Sequence, residues 1–103
     1  MVGENASSIV AEMIDCYLED APELLSAIAQ AVAQGDAIAL RQAAHTLKSS
    51  STTLGATTLS QLCKELEVTS RTGNTNVGLD KMPQLQSEYE RVKVALQIER
   101  RQT

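Results

Sequence analysis

His45 is the one histidine of the chain, and it stands in the run Ala43-Ala44-His45-Thr46-Leu47-Lys48-Ser49-Ser50-Ser51. Lys48 follows three residues on and Ser49 four, the spacings at which side chains share one face of an α-helix. An imidazole offers a nitrogen nucleophile, an ammonium offsets negative charge, and a small neighbour leaves room for another molecule to approach. Raised together on a rigid helix, these three are suited to carrying a phosphoryl group.

A histidine on a polar helix face is ordinarily a solvated residue, so the company it keeps matters. Arg41 lies one turn before His45, Thr52 lies one turn after Lys48, and no carboxylate occupies positions 41, 48, 49 or 52. A solvated face normally mixes signs; a locally positive one on an acidic chain points to an anion. The run Ser49-Ser50-Ser51-Thr52-Thr53 is poor helix-forming sequence, because hydroxyls compete for backbone hydrogen bonds. Small residues at Ser50 and Ser51 suit close packing of a neighbouring helix, and at Ser49 they suit clearance beside the ring.

Five helical stretches are expected to position this patch. The first covers roughly 6–19, with Ile9, Met13, Cys16 and Asp20 on one stripe and Val10, Ile14 and Tyr17 beside it. Asp20-Ala21-Pro22-Glu23 reads as the start of a second: an Asp cap, a proline in the first turn, a glutamate three after the cap. That helix runs to Gly35, and Asp36 caps a third with the inward stripe Leu40, Ala44, Leu47, Ser51, Leu54. Gly55 marks a turn into a fourth, about 56–71, with Leu59, Leu62, Cys63 and Leu66 inward. Residues 72–78 read as a polar, glycine-rich loop. Pro83 falls in the first turn of a final helix with the stripe Met82, Leu85, Tyr89, Val92, Leu96, and residues 100–103 are expected to fray. Short connections favour antiparallel neighbours. The expected fold is therefore all-α: an up-and-down antiparallel four-helix bundle with an additional N-terminal helix, one domain over 1–103.

Composition agrees with a folded chain of this kind. Apolar residues make up 43% and charged residues 21% of 103 residues, and Tyr17 and Tyr89 are the only aromatics, so the core must be aliphatic. The net charge of −4, with dispersed lysines and arginines, argues against nucleic acid. No apolar run is long enough to span a bilayer and no signal-peptide pattern opens the chain, so a cytoplasmic location without direct membrane contact is expected. Cys16 and Cys63 lack metal-ligand spacing and read as small buried hydrophobes in a reducing compartment. No metal site is expected. Neither glycine-rich nucleotide loop is present, so no ATP-binding kinase domain is expected.

The pattern His45-x-Leu47-Lys48-Ser49-Ser50-Ser51-x-x-Leu54-Gly55-Ala56-x-x-Leu59-x-x-x-Cys63-x-x-Leu66-Glu67 resembles the histidine-containing phosphotransfer (HPt) domain of two-component phosphorelays. The family often carries glycine where this chain has Ser49. The resemblance implies a phosphohistidine carrier and not an enzyme. His45 would accept a phosphoryl group on Nε2 from the phospho-aspartate of a receiver domain and pass it to another receiver. Lys48 would stabilise the phosphoryl charge, while Ser49, Arg41 and Thr52 would form the neighbouring surface. Ile9, Met13 and Tyr17 are candidates for receiver docking; covering the core is the plainer role for all three. The chain itself would need no cofactor, magnesium being required only in the receiver. A monomer is expected, either free-standing or, as the preferred reading, a domain of a hybrid sensor histidine kinase.

Other readings make different demands. A dimerising histidine-kinase module uses a two-helix hairpin, whereas five stretches suffice to close a monomeric bundle. The phosphoacceptor domain of chemotaxis kinases shares a His-x-x-Lys core, but the Leu54-Gly55-Ala56 and Cys63-x-x-Leu66-Glu67 continuation favours the phosphorelay type. A non-phosphorylated helical adaptor would keep partner binding without His45. An enzyme with His45 as general base would need a partner nucleophile or an orienting carboxylate nearby, and the helix offers neither within a turn.

Overall fold

A computed structural model describes residues 2–102, all of whose regular structure is helical: α1 (Val2–Gln34), α2 (Ala37–Thr53), α3 (Thr57–Ser70) and α4 (Asn76–Gln102). Helices adjacent in sequence pack side by side, and α4 closes back on α1. Three pairings give the directions. Tyr17 of α1 bonds Ser51 of α2, Thr52 of α2 bonds Ser60 of α3, and Arg100 of α4 pairs with Asp15 of α1. The core is aliphatic, filled by Ile14, Ile28, Leu40, Leu47, Leu59, Leu66 and Leu85, with Tyr17 and Tyr89 as its only rings.

Both short connections follow from glycine and aspartate chemistry. Gly35 at φ 68° lets Asp36 N–H reach the Ala31 carbonyl at 2.9 Å, and Gly55 at φ 78° lets Ala56 N–H reach Ser51 at 2.8 Å. Each closes a helix end by satisfying carbonyls that the helix leaves free, at a backbone angle that costs other residues strain. The Asp36 carboxylate accepts from Ala39 N–H at 3.0 Å and caps α2.

The separate N-terminal helix does not exist as an element. Residues 6–19 and 20–34 are one helix, α1, and Pro22 lies inside it. The inward stripe Ile14, Tyr17, Ala21, Leu25, Ile28 continues across the proline without a break, and its burial outweighs the one hydrogen bond Pro22 cannot give to Leu18. Likewise α4 starts at Asn76, so residues 76–78 are helical where a loop is expected, Pro83 is interior, and residues 100–102 continue the helix. Cys63 is buried as expected, but Cys16 is exposed, because it lies on the outward side of the Ile14–Tyr17 stripe.

The hydroxyl-rich end of α2 remains helical by turning its side chains back on the helix. Thr46, Ser50, Thr52 and Thr53 each bond the carbonyl four residues earlier, at 2.8–3.1 Å. Ser51 alone faces the core, where its hydroxyl meets Tyr17 Oη at 2.9 Å.

Candidate functional site

α2 and α3 run antiparallel with a register that can be read from their polar contacts. His45 and Lys48 both meet Glu67, and Thr52 meets Ser60 at 2.6 Å. By spacing, Arg41, His45, Lys48 and Thr52 lie on one stripe of α2, and Ser60, Lys64 and Glu67 lie on one stripe of α3 that Arg71, at its C-cap, continues. Both stripes follow the same +4, +3, +4 spacing, so Arg41 stands opposite Arg71, His45 opposite Glu67, and Lys48 opposite Lys64.

His45 is exposed, with 60% of its side-chain surface open, whereas Glu67 is almost wholly covered at 6%. Glu67 Oε2 meets His45 Nδ1, and Glu67 Oε1 accepts from Lys48 Nζ at 2.7 Å. The Lys48 hydrogen bond, reinforced by the His45 contact and opposed by burial, holds the Glu67 carboxyl below its ordinary range. An ionised carboxylate can only accept, so the shared proton belongs to Nδ1. In the neutral ring this leaves Nε2, on the opposite side, with its lone pair free. The arrangement has the logic of an oriented base: a buried carboxylate fixes the tautomer and leaves the far nitrogen of an exposed ring chemically able to act as a nucleophile.

The structure thus gathers His45, Lys48, Ser49, Arg41 and Thr52 on one face, with Ser49 exposed beside the ring. It adds Glu67, the orienting carboxylate that α2 lacks and α3 supplies. Glu67 closes the sequence pattern, but its partnership depends on the register between two helices and is invisible in either one alone. Among the docking candidates, Ile9 and Met13 are exposed at 58% and 38%. They border a groove with Cys16, Asp20, Ser50 and Leu54. Tyr17 is 4% exposed and its hydroxyl is committed to Ser51, so it belongs to the core; burial pushes that phenol up to about 12. Among the described residues no group of three or more His, Cys, Asp or Glu is placed to hold a metal, and no helix is long and apolar enough to cross a membrane.

Comparison with known proteins fits this site. The sequence model of the Hpt domain matches residues 12–95, which takes in all of α2 and α3, and the chain belongs to that family of phosphotransfer carriers in two-component signalling. It is similar to the crystal structure of histidine-containing phosphotransfer protein B (HptB) from Pseudomonas aeruginosa PAO1. The TM-score is 0.86 at 32% identity, over 90% of this chain and 81% of that one. No curated protein sequence matches.

Proposed function

We propose that His45 Nε2 is the phosphoryl acceptor of a two-component phosphorelay, loaded from the phospho-aspartate of one receiver domain and unloaded onto the aspartate of another. The observation that carries this reading is the Glu67 contact on Nδ1, which leaves the other nitrogen of an exposed ring as the nucleophile. As Nε2 bonds to phosphorus, the bond to the donor carboxylate breaks and the ring becomes positively charged. Glu67 stabilises that charge, as a buried carboxylate does behind a catalytic imidazole. Lys48 fixes Glu67 in place and lies within a turn of the transferred group. Ser49 leaves the approach clear. Magnesium and the acidic pocket needed for in-line transfer belong to the receiver. The working unit is a cytoplasmic monomer, either free-standing or within a hybrid sensor kinase.

The test is transfer from a panel of phosphorylated receiver domains to the wild-type chain and to His45→Gln. Acid-labile, base-stable label is expected on the wild type alone. Label retained by His45→Gln would place the acceptor elsewhere.

A further inference from the structure

α2 carries six hydroxyl side chains, and five of them are committed. Thr46, Ser50, Thr52 and Thr53 each bond the carbonyl four residues earlier, and Ser51 meets Tyr17 in the core. Ser49 is the exception. Among the described residues its hydroxyl has no hydrogen-bond partner, although the His45 carbonyl stands where its neighbours find theirs. The residue is exposed, one turn beyond His45. Its position around the helix matters as much as its distance along it. Lys48 and Thr52 touch Glu67 and Ser60, so their side of α2 is the one that faces α3. Ser49 is turned about 100° from Lys48 around the axis, with His45 between the two, and so stands on the flank of His45 away from α3. The contact that ties Nδ1 to Glu67 leaves Nε2 on the ring's other edge. Helical side chains lean toward the N-terminus, which brings Ser49 back over the turn that carries His45.

We infer that the Ser49 hydroxyl donates a hydrogen bond to the phosphoryl group carried on His45 Nε2. This rests on the carrier reading and gives Ser49 a part in holding the phosphoryl group, beyond leaving the approach clear. A hydroxyl is a compact donor that rotates to suit its acceptor, so it serves the group without filling the space a partner needs. A hydrogen bond to an ionised phosphoryl oxygen is charge-assisted and stronger than one between neutral groups. No carbonyl has to be given up on loading, because the hydroxyl engages none beforehand. Lys48 does not make this donor redundant, since its ammonium is shared with Glu67 at 2.7 Å. Glycine at this position supplies clearance and no donor; serine supplies both. The bond exists only while the phosphoryl group is on the ring. It therefore stabilises the loaded carrier relative to the acyl phosphate of a receiver and draws the transfer equilibrium toward histidine.

The test compares the wild type with Ser49→Ala, Ser49→Gly and, as a hydroxyl control, Thr46→Ala, each checked for native helix content. All four are loaded with phosphoramidate, which needs no partner protein. Phosphorus-31 spectra of the loaded chains should show the phosphohistidine resonance displaced in both Ser49 variants and unmoved in Thr46→Ala. Mixed with one receiver domain from the panel, both Ser49 variants should show the equilibrium ratio of phosphohistidine to phospho-aspartate lowered about fivefold, and the control should not. Agreement between alanine and glycine is the discriminating result, because the two differ in bulk and helix propensity and share only the loss of the hydroxyl. An unchanged resonance and ratio in Ser49→Ala would overturn the inference. So would a change confined to Ser49→Gly, which would assign the effect to the backbone or to clearance, or an equal change in Thr46→Ala. If the wild type takes label at His45 from neither phosphoramidate nor any receiver, the carrier reading falls and takes this bond with it. Label on the wild type that is indifferent to the Ser49 hydroxyl removes the bond alone.

Discussion

Glu67 serves two neighbours at once, and that sharing governs how the site answers to acid. Its carboxyl is held below the ordinary 4.5, with the Lys48 hydrogen bond as the largest cause. The folded state therefore binds fewer protons than the unfolded chain between the two values. The contribution is fully present above the ordinary carboxylate range and is lost as pH falls through the folded value. Thermal melts of wild type and Glu67→Gln should differ most at neutral pH and converge on acidification; a gap independent of pH would show that another group titrates. The tautomer can be read separately. Nitrogen-15 spectra should place the proton on Nδ1 in the wild type, and Glu67→Ala should shift it toward Nε2 and slow phosphoryl acceptance at least tenfold. His45, Lys48 and the small Ser49 are legible from spacing alone. Glu67 is not, because a lone glutamate after Leu66 has the look of a surface residue until the opposite helix is set against it.

At the scale of elements, close approach is decided by one glycine. Gly78 sits in the first turn of α4 against α1, and a methyl group added there would run into the Val32 side chain. Alanine is otherwise the better helix former by up to about 1 kcal/mol. Overpacking costs about 1–3 kcal/mol, so the clash should win. Gly78→Ala is expected to lower the melting temperature, and Gly78→Ala with Val32→Ala to lose less than the sum of the two, a coupling that a double-mutant cycle measures. Strict additivity would separate the helices at that point. The same glycine explains a misread boundary. Gly78, Met82, Leu85, Tyr89, Val92 and Leu96 form one unbroken stripe. Read without its glycine, that stripe starts a turn late. Pro22 misleads in the same way: a cap and a proline in the first turn look alike whether a helix begins there or passes through. Only the burial of Ala21 and Leu25 on the line from Ile14 settles it. Asp36, Gly35 and Gly55 are legible because each does its work through local backbone hydrogen bonds.

The whole molecule measures 50 × 20 × 19 Å, an elongated body whose longest member, α1, has 33 residues. Its two thiols report on how that body excludes water. Burial pushes the Cys63 thiol up to about 12, whereas Cys16 is exposed. Iodoacetamide at about pH 8 should therefore modify Cys16 in the native protein and reach Cys63 only after denaturation, with peptide mapping to locate each adduct. Equal labelling of both in the native state would mean that α3 opens far more readily than its packing implies.

The exposed imidazole of His45, the carboxylate behind it and the lysine that anchors that carboxylate all come from α2 and α3, joined by the tight turn at Gly55. The hairpin is thus a self-contained cartridge, and α1 and α4 are its housing. The housing can therefore be lengthened or recharged without disturbing the contacts that join His45, Glu67 and Lys48.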